Sequence, residues 1–494
     1  MEEKMISLAM LLLTAPASAD EVEKTDLSIS GVYAIWALNQ RNFLLGADNA
    51  LDDADYVVQM LRLNVRFDRP HYGVATRLDA AQGWWGADND PNVESVEADD
   101  GTSTATYNPY KLFRDKDTNY DVHFDHAYGW AELPGVLRVQ AGRQYMQVGH
   151  KLVLDQDLDG VTIAITPTES IRIELLGAKI SEGYGSTKAP TGSLMSDDDI
   201  YADANLGGGR VLLALAPATV ELFGLYYLDR SGEDATYFPQ GYGYLNARFR
   251  PNISSATALG LSVDGAAEVG AGLKWSLEGD YLMGTDDVAN TDHAGGALDI
   301  NNGELSGWNA LATVDQSIDA GVPLGIGATF GMGSGDDDVT SGPGNINKIQ
   351  TMGFWSLTNV WEDSVMPDVG GISPQGLGSP VSRGYRELEN TTAVQGRVSL
   401  TPAPPLTLKA SYTWLAATQP ITGFDDTGTP TADSSSDIGS EIDVDLSLKV
   451  YKGLTYKALF GYFIPGEGSG NLINGGTDSL DAAWEVKQVF VAKF

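Results

Sequence analysis

The chain has 494 residues, 57 of them glycine and none cysteine, with aromatic residues at 9% and a mean hydropathy of -0.15. Its formal charge of -36 excludes a nucleic-acid surface, which requires a basic face. The missing cysteines exclude a disulfide framework, thiolate chemistry and covalent haem attachment. Such a glycine and aromatic content suits a turn-rich all-β chain better than a helical membrane protein or a disordered one.

Residues 1–19 read as a secretory signal: Lys4, then the apolar run Met5 to Leu13, then Ala17-Ser18-Ala19 as a small-residue cleavage site. Glu2 and Glu3 offset Lys4, which points to Met5 or an upstream residue as the true start. Residues 20–494 are then one expected domain. From Leu27 onward apolar residues recur with a period of two, as in strands that are wet on one face only. Strands are predicted over Leu27–Leu38, Tyr56–Phe67, Tyr72–Gln82, Val122–Glu132, Val136–Val148, Gly160–Thr166, Ile171–Ser181, Asn205–Ala216 and Thr219–Asp229. The second half adds Ala256–Val263, Val269–Met283, Leu305–Asp315, Pro323–Gly333, Leu388–Leu400, Leu406–Ala417, Ile438–Val450, Leu454–Ile464 and Trp484–Phe494. Val211 to Leu228 has the length of a membrane helix, but Pro217 divides it and Glu221 charges its second arm, so it reads as two strands around a turn.

The clearest unit is Ser440 to Pro465. Ile442, Val444, Leu446, Leu448 and Val450 alternate with Asp443, Asp445, Ser447 and Lys449, and after Lys452-Gly453 the pattern resumes with Leu454, Tyr456, Ala458, Phe460 and Tyr462. Each arm is about ten residues, enough for a tilted strand to cross a bilayer. In the last strand Trp484, Val486, Phe490 and Phe494 share one parity.

Short turns alternate with long polar connections (39–55, 83–121, 149–159, 182–204, 230–255, 284–304, 334–387, 418–437 and 465–483). This alternation predicts a transmembrane antiparallel β-barrel of about 18 strands in the bacterial outer membrane, with short periplasmic turns and long extracellular loops. Ile349 to Trp361 resembles a further strand, but counting it would make the total odd and invert every later turn. It is therefore assigned to the loop 334–387, whose length suits a gate or constriction folded into the lumen. Acids cluster between strands, at Asp52-Asp53, Asp99-Asp100, Asp197 to Asp199, Asp286-Asp287, Asp336 to Asp338 and Asp425-Asp426, and would crown one rim. Such a rim suits divalent cations, including those that bridge lipopolysaccharide.

The inward parity carries both signs: Arg62, Asn64 and Arg66; Arg77 and Asp79; Arg138 and Gln140; Arg172 and Glu174; Lys274, Glu278 and Asp280; Gln395 and Arg397; Lys409; Glu441, Asp443, Asp445 and Lys449; Lys457. Any water-filled barrel wall is polar, so one charge says little. Arginines recurring on adjacent strands suggest a selectivity lining. Asp155, Asp157 and Asp159, followed by Gly160, begin like a calcium loop, but position twelve is Thr166 rather than Glu, so a turn entering a strand is the better reading and a metal site the weaker one. His123 and His126 are three apart, on opposite faces of a strand. No GxSxG, Walker or GxGxxG motif occurs, so neither an enzyme nor a nucleotide or redox cofactor is expected.

Gly142-Arg143-Gln144, Asp159-Gly160, Glu278 within LKWSLEGDYLMG, Ser334-Gly335-Asp336, Gly439 to Asp443 and Gly461 to Gly466 together resemble the alginate export family of outer-membrane barrels. The resemblance implies a passive single-chain channel, with Arg143 as a cationic contact in the lumen and Glu278 and Asp443 as acidic partners. Parity sets Arg143 beside the lipid-facing Leu137, Val139 and Ala141, so a bulge at Gly142 is needed to turn it inward. An acidic rim would repel alginate, so the expected cargo is a hydrophilic solute or an oligo- or polysaccharide. The alternative is a scaffold or sleeve for a partner lipoprotein or electron-transfer protein.

Overall fold

The structure, a computed structural model, describes residues 26–43, 45–46, 54–84, 95–97, 103–105, 123–181, 204–229, 255–286, 303–335, 347, 353, 355–362, 388–425, 430–476 and 480–494. The expected export signal and the acidic stretches 52–53, 99–100, 197–199 and 336–338 lie outside these residues.

Eighteen antiparallel strands form one sheet. The first half contains β1 (Asp26–Arg41), β2 (Ala54–Asp68), β3 (Tyr72–Trp84), β6 (His123–Leu133), β7 (Leu137–Val148), β8 (Leu154–Thr168), β9 (Ile171–Ser181), β10 (Ala204–Leu215) and β11 (Ala218–Asp229). A separate pair, β4 (Ser95–Glu97) and β5 (Ser103–Ala105), is not part of that sheet. The second half contains β12 (Ser255–Ala267), β13 (Leu273–Asp286), β14 (Gly303–Asp319), β15 (Pro323–Gly333), β16 (Thr391–Ala403), β17 (Leu406–Phe424), β18 (Pro430–Tyr451), β19 (Leu454–Pro465) and β20 (Ala483–Lys493), with the helix α1 (Glu467–Asn474) before the last strand. Each barrel strand pairs with its neighbours in the sheet, and β1 pairs with both β2 and β20, which closes the barrel and leaves no open edge. A strand stands at every predicted place. No helix among the described residues is long and apolar enough to cross a membrane, and Val211 to Leu228 is indeed β10, a turn and β11.

Strand pairing sorts the side chains into two faces. One carries an exposed apolar belt including Leu222, Tyr226, Leu259, Tyr281, Phe330, Tyr412, Ile442, Val444 and Phe490. In water such a belt would be unfavourable by about 25 cal/mol for each Å² of apolar surface, whereas lipid accepts it at no such cost. The other face points into the lumen.

Four predicted loops differ from expectation, the first being 83–121, which holds the β4–β5 pair. Residues 149–159 are mostly strand: β8 begins at Leu154, because Asp155, Asp157 and Asp159 alternate with Gln156 and Leu158 and keep the period of two. Residues 418–437 are largely the outer ends of β17 and β18, which run for 19 and 22 residues, well past the ten or so a bilayer needs. Within 465–483, α1 forms between Gly466 and Gly475, the latter in the left-handed conformation at φ 77° that commonly ends a helix. Its buried Leu472 and Ile473 pack among Leu45, Leu415, Ile421 and Phe463.

Candidate constriction in the lumen

Two elements occupy the lumen. The first is the outer half of the β7–β8 hairpin. Pairing of β6 with β7 ends at Ala127 and Arg143, and pairing of β8 with β9 ends at Asp159 and Lys179, yet β7 and β8 stay paired as far as Val148 and Leu154. Beyond Arg143 and Asp159 the hairpin has therefore left both wall neighbours. The departure occurs at Gly142 and Gly160, which face each other across the hairpin. Gly142 has a φ of +122°, and a Cβ on either glycine would lie 2.3 Å from a neighbouring backbone oxygen. The register runs through without a shift, so the expected bulge is instead a glycine bend.

Past the bend, Met146, Val148 and Leu154 pack against Leu176, Leu206, Phe223 and Leu225, luminal side chains of the wall. The opposite face carries Tyr145, Asp155 and Asp157. Asp157 lies 2.7 Å from His126 and 3.3 Å from Arg77; Arg77 and Arg62 both reach Asp125 at 2.7 Å; Arg62 also grips Asp79 through two nitrogens. At the tip, the Gly149 N–H donates to Glu221 at 3.0 Å, and the His150 ring lies 2.6 Å from Glu278 and 3.1 Å from Asp264. Burial opposes a charge on His150, but Glu278 and then Asp264 outweigh it and raise its pKa to about 9.

The second element is the segment 355–362, which contains no strand and lies within the predicted 334–387 loop. Glu441, fully buried on the luminal face of β18, accepts the N–H groups of Asn359 (2.8 Å), Val360 (2.7 Å) and Trp361 (2.9 Å). Lys487 donates to the Asn359 carbonyl at 3.2 Å and Gln395 to that of Leu357 at 2.9 Å, while Trp361 stacks on Phe463 with centroids 4.9 Å apart. Gly461 permits this approach, since a Cβ there would lie 2.5 Å from Val360 Cγ2. Just ahead of the segment, Gly353 abuts the backbone of Lys151 and Leu152 at the hairpin's tip. On one flank of the segment lies a recess of about 420 Å³, lined by Leu357, Asn359, Gln395 and Ser411 with Asp315, Arg397, Lys409, Asp443 and Asp445.

Among the predicted residues, the structure thus gathers Arg62 and Arg77 at the hairpin's flank, Glu278 at its tip with Asp280 two residues along the same face, Glu441 under the segment, and Arg397, Lys409, Asp443 and Asp445 around the recess. Arg397 is bound to Asp315 at 2.7 Å, and Lys409 is paired in register with Asp445. Arg66, Arg172, Lys274 and Lys449 stand away from both elements, close to the short turns: Arg66 meets Asp68 at 3.2 Å, Arg172 meets Glu174 at 2.5 Å, and Lys274 is in register with Asp315. Arg143, at the bend, lies 3.4 Å from Asp159 with much of its side chain exposed. Asp155, Asp157 and Asp159 do not curl into a calcium loop: they share one face of β8, each opposite a cation, Lys151, Arg77 and Arg143 respectively. Among the described residues no three His, Cys, Asp or Glu side chains converge as a metal-binding group.

Sequence reading missed Asp125, His150, Arg210, Glu221, Glu485 and Lys487. Arg210 bridges Glu174 (2.6 Å) and Glu221 (3.3 Å), and Lys487 pairs with Glu485 at 2.6 Å, both fully buried. Four of the six carried a signal: Arg210, Glu221, Glu485 and Lys487 hold the luminal parity of their strands. Asp125 sits at a register slip and His150 in a turn, where parity gives no guidance.

Several solved outer-membrane proteins share the architecture. OccK9 (OpdG) of Pseudomonas aeruginosa superposes with a TM-score of 0.51 at 13% identity, over 95% of this chain and 98% of that one. The chain has the fold of an outer-membrane β-barrel. OccK3 (OpdO) and OccK1 (OpdK) of the same organism each give a TM-score of 0.50, at 10% and 11% identity, over 95% of this chain and 96% and 98% of theirs. Identities this low establish the fold alone. No family model and no curated protein matches the sequence, so the resemblance to the alginate export family holds only at the level of an outer-membrane barrel.

Proposed function

We propose that the chain is a passive diffusion channel for small hydrophilic solutes, narrowed by the β7–β8 hairpin and residues 355–362. The observation that carries this reading is the recess of about 420 Å³ on the luminal side, lined by Arg397 and Lys409 together with Asp315, Asp443 and Asp445. Side chains of both signs a few ångströms apart favour neutral or zwitterionic polar solutes over large polyanions, because a polyanion gains from the cations only what it loses to the acids. This argues against alginate as the cargo and leaves short neutral saccharides within range. OpdK has been solved with vanillate, an observation about that protein. A cation preference is expected. The formal charge of -36 sets a negative field over the channel as a whole, which attracts cations and repels anions. Single-channel recording of the purified protein in planar bilayers under a salt gradient tests the reading. A conducting pore whose reversal potential has the sign of cation flow is the expected result. A barrel that never conducts would favour the sleeve for a partner protein, which the two luminal elements also allow.

A further inference from the structure

The two luminal elements are held differently. The β7–β8 hairpin is continuous with the wall and cannot leave without breaking strands, whereas the described part of 355–362 contributes no strand to the sheet. Val360 and Trp361 pack into a buried apolar cluster, and beside that packing three hydrogen bonds tie the segment to one side chain. Three consecutive N–H groups, those of Asn359, Val360 and Trp361, converge on the Glu441 carboxylate, and none of them has a place in a helix or sheet ladder. A buried carboxylate requires such donors, and buried N–H groups require such an acceptor, so each satisfies the other. Lys487, Gln395 and Asp445 each reach a single atom of the segment.

From this arrangement we propose that Glu441 is a positioning residue acting as the latch of the constriction: it seats 355–362 against the wall, and the width of the passage, hence the size of solute admitted, depends on that seat. The proposal rests on the channel reading for its consequence but not for its geometry. Removing the carboxylate leaves three buried N–H groups without an acceptor, so the segment moves to where water can reach them, away from the wall. The recess beside it, floored in part by Leu357 and Asn359, then opens into the main passage.

The sequence contains no cysteine, so introduced thiols are unambiguous reporters. A Cβ built on Gly461 lies 3.2 Å from the Asn359 Cβ, near the separation that a disulfide spans, and Val360→Ala in the cross-linked variant removes the Cγ2 that this Cβ would otherwise meet. Two experiments follow, on the full-length protein refolded or extracted in detergent. In the first, Asn359→Cys is labelled with a water-soluble methanethiosulfonate reagent with and without Glu441→Gln. The amide can accept two of the three N–H groups but turns a donor toward the third, and labelling is expected to speed up about tenfold as the seated population falls. Equal rates in the two backgrounds would overturn the latch, whether or not the protein conducts. In the second, single-channel conductance and the largest sugar admitted in liposome swelling are compared for wild type, Glu441→Ala, and Glu441→Ala carrying Val360→Ala and the oxidised Asn359→Cys/Gly461→Cys pair. Glu441→Ala should raise conductance by about two-fold and admit larger sugars. The disulfide should restore wild-type values until it is reduced. If wild type conducts and Glu441→Ala conducts identically, the latch fails while the channel stands. If wild type does not conduct but labelling accelerates as expected, the channel reading fails while the latch stands.

Discussion

Gly142 and Gly160 decide where the barrel wall stops being a wall. Both sit where a Cβ would run into backbone rather than into a movable side chain, and Gly142 also needs a positive φ. Gly142→Val is expected to straighten the hairpin or block its assembly, read as slower folding into micelles and a wider pore in whatever fraction folds. Arg143, beside the bend, lies 3.4 Å from Asp159, which offsets part of its charge. If it nonetheless contributes to the field of the passage, Arg143→Ala should move the reversal potential toward cations, and an unchanged potential would remove it from the lining. His150 makes a prediction with a definite sign. Its folded pKa of about 9 lies above the ordinary 6.5, so protonation favours the folded state. That contribution is complete below 6.5, declines as pH rises, and is gone above about 9. The gap in thermal stability between wild type and His150→Asn should therefore close over this window, and a gap that stays constant through pH 9 would show that the ring's charge does not hold the tip.

At the scale of elements, each strand carries two environments at once, and their costs differ. Val444 and Asp443 are neighbours on β18, the first in the exposed apolar belt and the second buried toward the lumen. Val444→Arg should destabilise the folded barrel by about 2–4 kcal/mol if the residue sits near the bilayer midplane, because an ion is then placed in hydrocarbon. Asp443→Asn should leave stability close to wild type and alter ion selectivity instead. Chemical denaturation in detergent or lipid distinguishes the two, and similar losses for both would contradict the assignment of faces. Elements also explain where sequence reading failed. The acid alternation of β8 resembled a loop because acids are usually found in loops, but here each acid on that face meets a cation, which offsets its charge. The helix α1 was invisible because Glu467 to Asn474 is short and glycine-rich, and its burial is supplied by neighbours distant in the chain.

At the scale of the whole molecule, closure is the dominant constraint. Every backbone group in the lipid-spanning part of a barrel must find a partner in the next strand, and pairing β1 with β20 completes that circuit. The purified protein should need detergent, and in unheated gels it should migrate differently from the boiled sample. Solubility without detergent would refute the orientation of the apolar belt. Closure also makes the lumen a confined space, so chain that enters it either packs or hydrates. The hairpin packs on Leu176, Phe223 and Leu225, while 355–362 packs through Val360 and Trp361.

By itself the amino-acid order determined the strands, their number, their two faces and the alternation of short and long connections, because in a barrel these follow from a period of two and from turn residues, both local properties. It also marked most of the charges that reach the lumen, since parity is inherited along each strand. Only the tertiary structure decided that β7 and β8 leave the wall, that Glu441 meets Asn359, Val360 and Trp361, and that Lys487 and Glu485 are buried together. These contacts join residues that are 80 or more apart or depend on what fills the lumen, and no periodicity in a sequence encodes a partner at that distance.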